Sequence, residues 1–479
     1  MSSEQSVIGN AQGTMIDLKY RMEKDFLGEK EVPEEAYWGI HTQRALENFP
    51  LSGCRVNPSL IRSLASVKKA CGLANLELGY LDERKGKAIL AACEEVIGGE
   101  FYDQFPVDAL QGGAGTSSNM NMNEVVANRA AELLGGKRGD GSMVHPIEDV
   151  NLHQSTNDVY PTAVKVSAIL LLRELSQTIA RVQGSFQRKE KEFARIVKVG
   201  KTELQEAVPI TLGAEFSAFG EAMARDRWRT FKCEERLRVV NLGGTAVGTG
   251  LSAPRSYIFL AVEKLREVTG LGLSRGEDLL DATANTDPFV EVSGILKAHA
   301  SSLSKIANDL RLLHLFGEIE LPKLQPGSSI MPGKVNPVML EAVMQVALKV
   351  MANDFLVTEA CSRSTLQINE FLPLLAHSLL ESLDLLIRTD EVLARHADGI
   401  TANETRCRES FDRSPMIVTA FLPYIGYDRA SEILQAFLAS GRENVREFLQ
   451  EKLGMEMVER ALSPERLISL GYREDEENA

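Results

Sequence analysis

Between residues 163 and 198 the chain reads AVKVSAILLLRELSQTIARVQGSFQRKEKEFARIVK, with apolar positions recurring every three or four residues. That spacing places them on one face of an α-helix, and the run predicts a helix of roughly ten turns. Three more stretches carry the pattern: 214 to 240, about 288 to 315, and 338 to 395 with an interruption around ACSRSTLQINEFLP. None has the charged seams of a two-stranded coiled coil, so their apolar faces need neighbours and predict a bundle. Their length suggests that several chains contribute to it. Aromatic residues make up only 6% of the chain, and Ala, Leu, Glu and Lys dominate long proline-poor stretches, which favours helix further. The expected fold class is mostly α.

Between the long helical stretches lie segments rich in Gly, Ser, Thr and Asn: QGGAGTSSNMNMNE (111 to 124), NLHQSTNDVYPT (151 to 162), GKTELQEAVPITLG (200 to 213), NLGGTAVGTGL (241 to 251) and GSSIMPGKVNP (327 to 337). Each abuts a predicted helix end and carries hydroxyl, amide or backbone N–H donors suited to a small anion. Taken singly, any of them reads as a cap or turn. Together they point to convergence on one site. The last could pass for a nucleotide phosphate loop, but five residues separate Gly327 from Gly333, Pro332 lies inside, and Val335 follows Lys334 where Ser or Thr would be needed. What remains is two adjacent hydroxyls, Ser328 and Ser329, with the Lys334 cation and the Asn336 amide.

The chain has 479 residues, enough for two or three domains. Its 53 Lys and Arg against 67 Asp and Glu give a net charge of -14, which argues against nucleic acid or an anionic membrane surface as a partner. The six cysteines are scattered without CxxC pairs, and no zinc-ligand spacing occurs among them and the seven histidines. Reduced, buried thiols are expected, and no metal ligands are assigned. The first 20 residues lack the basic start and apolar run of a signal peptide, so a flexible leader over about residues 1–18 is expected. No run of 18 apolar residues occurs, and a soluble cytoplasmic protein is expected.

GSSIMPGKVNP resembles in full the signature of the aspartase/fumarase superfamily. DQFPVDALQGGAGTSSNMNMNEV, QSTNDVYPTA and NLGGTAVGTGL are similar to the aspartase branch more than to the fumarase branch. The resemblance covers nearly the whole chain, from RMEKDFLGEKEVPEEAYWGIHTQRALENFPLSG (21 to 53) to GITANE (399 to 404) and beyond. It implies an N-terminal domain (1–156), a central long-helix domain (157–401) and a small C-terminal domain (402–479). It also implies a homotetramer with a twenty-helix core, whose active sites each draw on three subunits. The implied reaction is reversible elimination of ammonium from L-aspartate to give fumarate, without an organic cofactor. Position by position, Ser328 is implied as the base. Thr116, Ser155, Thr156 and Ser329 would hold the carboxylate beside the reacting carbon, Lys334, Asn336 and Thr202 the other carboxylate, and Asn157 the amino group.

The residue types suit that chemistry. Removing a proton beside a carboxylate drives a second negative charge onto it, and donors aimed at those oxygens act as an oxyanion hole does. A neutral serine is a weak base, so the ionised form of Ser328 needs loop N–H groups, Lys334 or the helix start near Pro337 around it. Two departures from the family pattern stand out. The segment after KIANDLRLL is shortened to HLFGEIELP, and Glu203 stands where relatives carry His or Gln. As a residue type Glu is usually a solvated surface group. Here it could also face a substrate ammonium. Alternatives are a fumarate hydratase, a lyase for another amine-substituted succinate, or a helical structural protein that has lost activity.

Overall fold

A computed structural model of the chain describes residues 19–471, so the leader expected over residues 1–18 lies outside the described residues. Helix predominates. An antiparallel hairpin, β1 (Tyr20–Asp25) and β2 (Gly28–Pro33), comes first. Helices α1 (Ile40–Asn48), α2 (Pro58–Glu77), α3 (Glu83–Gly98) and α4 (Thr116–Leu133) follow, then the 37-residue α5 (Thr156–Glu192). A second antiparallel hairpin, β3 (Val197–Thr202) and β4 (Gln205–Thr211), leads into α6 (Leu212–Leu237). After α7 (Arg255–Thr269) and α8 (Leu279–Ala284) come three more long helices, α9 (Asp287–Leu315), α10 (Val338–Ser362) and α11 (Leu372–Asp398), and then short helices from Glu404 to Leu467.

The long predicted helices are present with shifted ends. The stretch expected as helix from 163 to 198 begins at Thr156 and stops at Glu192, and Val197–Thr202 is strand. Gly200 weakens a helix, the β-branched valines favour extended chain there, and pairing with β4 overrides the helical spacing. Helix α5 also carries Pro161 in its second turn. A proline has no N–H for the carbonyl four residues earlier. The Asn157 carbonyl instead accepts from Asn241 Nδ2 at 2.9 Å, so a side chain replaces the missing helical bond.

The chain divides into two compact units. Unit 1 takes the chain up to Leu172, Cys233–Gly294 and Ala352–Leu383; unit 2 takes Arg173–Lys232, Ile295–Met351 and the chain from Asp384 onward. Within unit 1, α2 packs against α3 and α7, and α3 against α4; Leu64, Val67, Cys71, Ile89, Cys93, Val126 and Leu265 on these helices are all buried.

Within unit 2 a buried polar knot ties four helices. His299 on α9 lies 3.1 Å from Asp226 on α6 and 3.2 Å from Asp390 on α11, and the Thr178 hydroxyl on α5 donates to Asp390 at 3.2 Å. Burial alone would lower the imidazole pKa, but Asp390 and Asp226 outweigh it and raise it to about 9. A second core in unit 2 joins Val197 and Val199 of β3 to Phe411, Phe421, Phe437 and Phe448 of the C-terminal helices. Of the six cysteines, Cys71, Cys93, Cys233 and Cys407 are buried, and all six are free thiols. No described helix is long and apolar enough to cross a membrane.

Candidate active site

The ten candidate residues divide between the units. Thr116, Ser155, Thr156 and Asn157 belong to unit 1; Thr202, Glu203, Ser328, Ser329, Lys334 and Asn336 belong to unit 2.

In unit 1 the first group sits at two helix starts, where the helix dipole and free N–H groups favour an anion. Gly113, Ala114 and Gly115 all have positive φ (87°, 56° and 95°) and turn the chain into α4 at Thr116. A Cβ on Gly115 would lie 2.5 Å from the Tyr160 ring, so only glycine fits. Thr116 is exposed, and its hydroxyl donates to Gly113 O at 2.7 Å. To give that proton to a carboxylate, the side chain must turn away from Gly113.

Ser155 caps α5. Its Oγ accepts from Asn157 N at 3.2 Å, and its own N–H donates to Asp158 Oδ1 at 2.9 Å, the reciprocal arrangement of a capping box. The other Asp158 oxygen accepts from Gly243 N and Thr245 N at 3.0 and 3.1 Å, which fastens the NLGGTAVG loop to the helix start. Burial raises the Asp158 pKa to about 6, with the three N–H donors acting in the opposite direction. Asn157 Nδ2 donates to Ala246 O at 2.7 Å, which leaves its oxygen as the end able to accept from an ammonium. Thr156 Oγ1 accepts from Asn119 Nδ2 at 3.1 Å.

In unit 2, Thr202 pairs with Gln205 at the tip of the β3–β4 hairpin. Between them Glu203 and Leu204 have φ of 52° and 63°. Two-residue turns with positive φ at both positions normally take Asn-Gly, so this tip is strained. Thr202 and Glu203 are exposed. The hairpin base is held firmly: Lys198 Nζ is 2.6 Å from both Glu215 and Glu318, and Lys201 Nζ is 2.5 Å from Glu318. Burial works against the Lys198 charge, yet Glu215 and Glu318 raise its pKa overall. Glu318 lies in the shortened segment after α9, and that segment therefore anchors the hairpin.

The loop from Gly327 to Asn336 closes on itself. Gly327 N donates to Lys334 O at 2.7 Å, and Asn336 Nδ2 donates to Gly327 O at 3.0 Å. A Cβ at Gly327 would meet Asn336 at 2.9 Å, so this closure requires glycine. Inside the loop, Ser328 Oγ accepts from Ile330 N at 3.2 Å and from Met331 N at 3.0 Å. Two N–H dipoles directed at one hydroxyl oxygen favour its ionised form. Ser329 and Lys334 are exposed, and Lys334 makes no ion pair among the described residues. No hydrogen bond among the described residues joins Thr202 or Glu203 to this loop.

Sequence reasoning missed the residues beneath these groups: Lys68, Asn119, Asn151, Asp158 and Glu318. Only Asp158 carried a readable signal, three residues after the capping Ser155.

Residues 28–352 match the family described as Lyase, and residues 417–469 match the one described as Fumarase C C-terminus. The chain is 48% identical over 462 residues to an aspartate ammonia-lyase of Pseudomonas fluorescens, covering 94% of this chain and 96% of that protein. The crystal structure of fumarate lyase:delta crystallin from Brucella melitensis bound to cobalt superimposes with a TM-score of 0.90 at 48% identity, covering 94% of this chain and all of that one. The class II fumarase of Schistosoma mansoni gives a TM-score of 0.86 at 31% identity, over 93% of this chain and 98% of that one.

Proposed function

The chain belongs to the lyase family matched by residues 28–352, and on that premise we propose that it is an aspartate ammonia-lyase, interconverting L-aspartate with fumarate and ammonium. The observation that carries this reading is the near-full-length match to an aspartate ammonia-lyase at 48% identity, against 31% for a class II fumarase. The loop geometry supports a mechanism.

Ser328, as an alkoxide stabilised by the Ile330 and Met331 N–H groups, takes the C3 proton. The electron pair left on C3 moves into the neighbouring carboxylate and gives an aci-carboxylate dianion. Donors from Ser155, Thr156 and Ser329, and from Thr116 once its hydroxyl has turned, stabilise that charge. The pair then returns to form the C2–C3 double bond as the C2–N bond breaks and the amine leaves with its bonding electrons. Lys334, Asn336 and Thr202 bind the distant carboxylate, Asn157 accepts from the ammonium, and Glu203 adds charge complementarity for that cation.

The working form in this proposal is a cytoplasmic homotetramer with sites shared between subunits. Large apolar side chains on the long helices support it: Trp228 and Phe231 on α6 and Leu348 and Phe355 on α10 are all 63 to 65% exposed in the single chain. Following fumarate absorbance with L-aspartate, malate and N-substituted aspartates tests the assignment. L-aspartate should be the best substrate. Faster turnover of malate would make the protein a hydratase instead.

A further inference from the structure

Beneath Thr156 lies a chain of buried polar side chains that the proposed reaction does not use directly. Lys68 on α2 is 1% exposed, and its ammonium donates to Asn151 Oδ1 and Gln154 Oε1, both at 2.8 Å. Asn151 Oδ1 also accepts from Asn119 Nδ2 and Asn123 Nδ2, each at 3.2 Å. Asn119 Nδ2 reaches onward to Thr156 Oγ1 at 3.1 Å. An ammonium has donors only, so it forces the Asn151 oxygen to face it. That oxygen in turn requires the Asn119 NH2 group, not its carbonyl, on the side facing Asn151 and Thr156.

The arrangement has a visible cost. The carbonyl oxygens of Asn119 and Asn123 are buried without a hydrogen-bond partner among the described residues. Turning the Asn119 amide over would let its oxygen accept from the Thr156 hydroxyl, yet the cation at the far end disfavours that orientation. The titratable groups facing Lys68 are Cys71 on its own helix, Asp158 on α5 and Cys93 on α3. Burial lowers its pKa to about 8 against their opposing effect, so the lysine remains mostly charged at neutral pH.

We propose that Lys68, Asn151 and Asn119 form a polarity relay that keeps the Thr156 oxygen an acceptor on its buried side, so that its proton is free to donate to the substrate carboxylate. The inference rests on Thr156 lying in the carboxylate site. The three relay residues touch no substrate and act as positioning residues. With the relay reversed, the Thr156 proton turns inward and a lone pair faces the dianion, which weakens the transition state more than the bound substrate.

Asn119→Asp tests this with almost no change of shape, because a carboxylate has only acceptors to offer and would take the Thr156 proton. Fumarate formation from L-aspartate by the full-length enzyme is followed for Asn119→Asp, Thr156→Val and the double variant, with circular dichroism to check folding. Each single change is expected to lower kcat by ~10² to 10³-fold with a smaller change in KM, the scale of losing one oxyanion donor. The double variant should be no slower than the slower single one, since both remove the same donor. Thr156→Ser, which restores a hydroxyl, should recover most of kcat and with it the sensitivity to Asn119→Asp.

Multiplying losses in the double variant would overturn the relay while leaving Thr156 in the site. Thr156→Val within about threefold of wild-type kcat would overturn the relay by a different route, because Thr156 would then have no donor task. If Asn119→Asp fails to fold, Lys68→Met replaces it in the same cycle, with the same two outcomes.

Discussion

The hydroxyls at the heads of α4 and α5 and the exposed elements of unit 2 use the same few residue types in opposite settings. In unit 1, Ser155 and Thr156 each have an oxygen lone pair committed to an N–H donor, and the floor beneath them, Lys68, Asn119 and Asp158, is at most 1% exposed. In unit 2, Ser329, Lys334 and Glu203 stand in solvent, and the loop is held mainly by its own backbone and by Asn336. The first region resembles a binding surface built into the core, where changing a donor also changes packing. The second concentrates reactive groups where substitution leaves the core untouched. Stability and chemistry should therefore separate by region.

The largest expected effect is on Ser328→Ala. It should lower kcat at least a thousandfold, ~4 kcal/mol of barrier, while the thermal midpoint stays near wild type. More than a tenth of kcat retained would remove Ser328 as the base, and a large drop in midpoint would break the contrast between the regions. Asp158→Ala should do the reverse. It strips two buried N–H groups and a half-buried one of their acceptor at a cost on the order of 2 to 4 kcal/mol, so the midpoint should fall by several degrees in a thermal melt. An unchanged melt would mean that the α5 start is not locked as described.

The smallest effect belongs to Glu203. Because glutamine shares the backbone strain of glutamate at this φ, Glu203→Gln isolates the charge. It should raise KM for aspartate a few-fold, on the order of 1 kcal/mol. Glu203→His should narrow the preference for aspartate over malate. Steady-state kinetics with both substrates would show Glu203 to be a bystander if neither ratio moves.

What was legible follows from what each signal measures. Apolar spacing reports which face of a helix is buried, so α5, α6, α9, α10 and α11 could be placed to within several residues at most ends. The Gly- and Ser-rich segments at 111 to 124 and 151 to 162 were visible as places where the chain must turn, and α4 and α5 do begin inside them. The β3–β4 hairpin was hidden because its tip is Glu-Leu, and nothing in that pair signals a tight turn. Lys68 was hidden for a related reason. A lysine on an amphipathic helix reads as solvent-facing, and only the carbonyl oxygens of Asn151 and Gln154, more than 80 residues away, make its burial tolerable.

The Glu203–Leu204 turn bears on how this protein could be engineered. Each of these side chains holds a left-handed backbone that disfavours it by about 1 kcal/mol, a cost that Asn-Gly would relieve. Breeding for heat resistance alone would thus favour Asn-Gly at this tip and discard the carboxylate with it. Libraries aimed at robustness should hold position 203 fixed, or screen it only under selection for discrimination between amine and alcohol substrates.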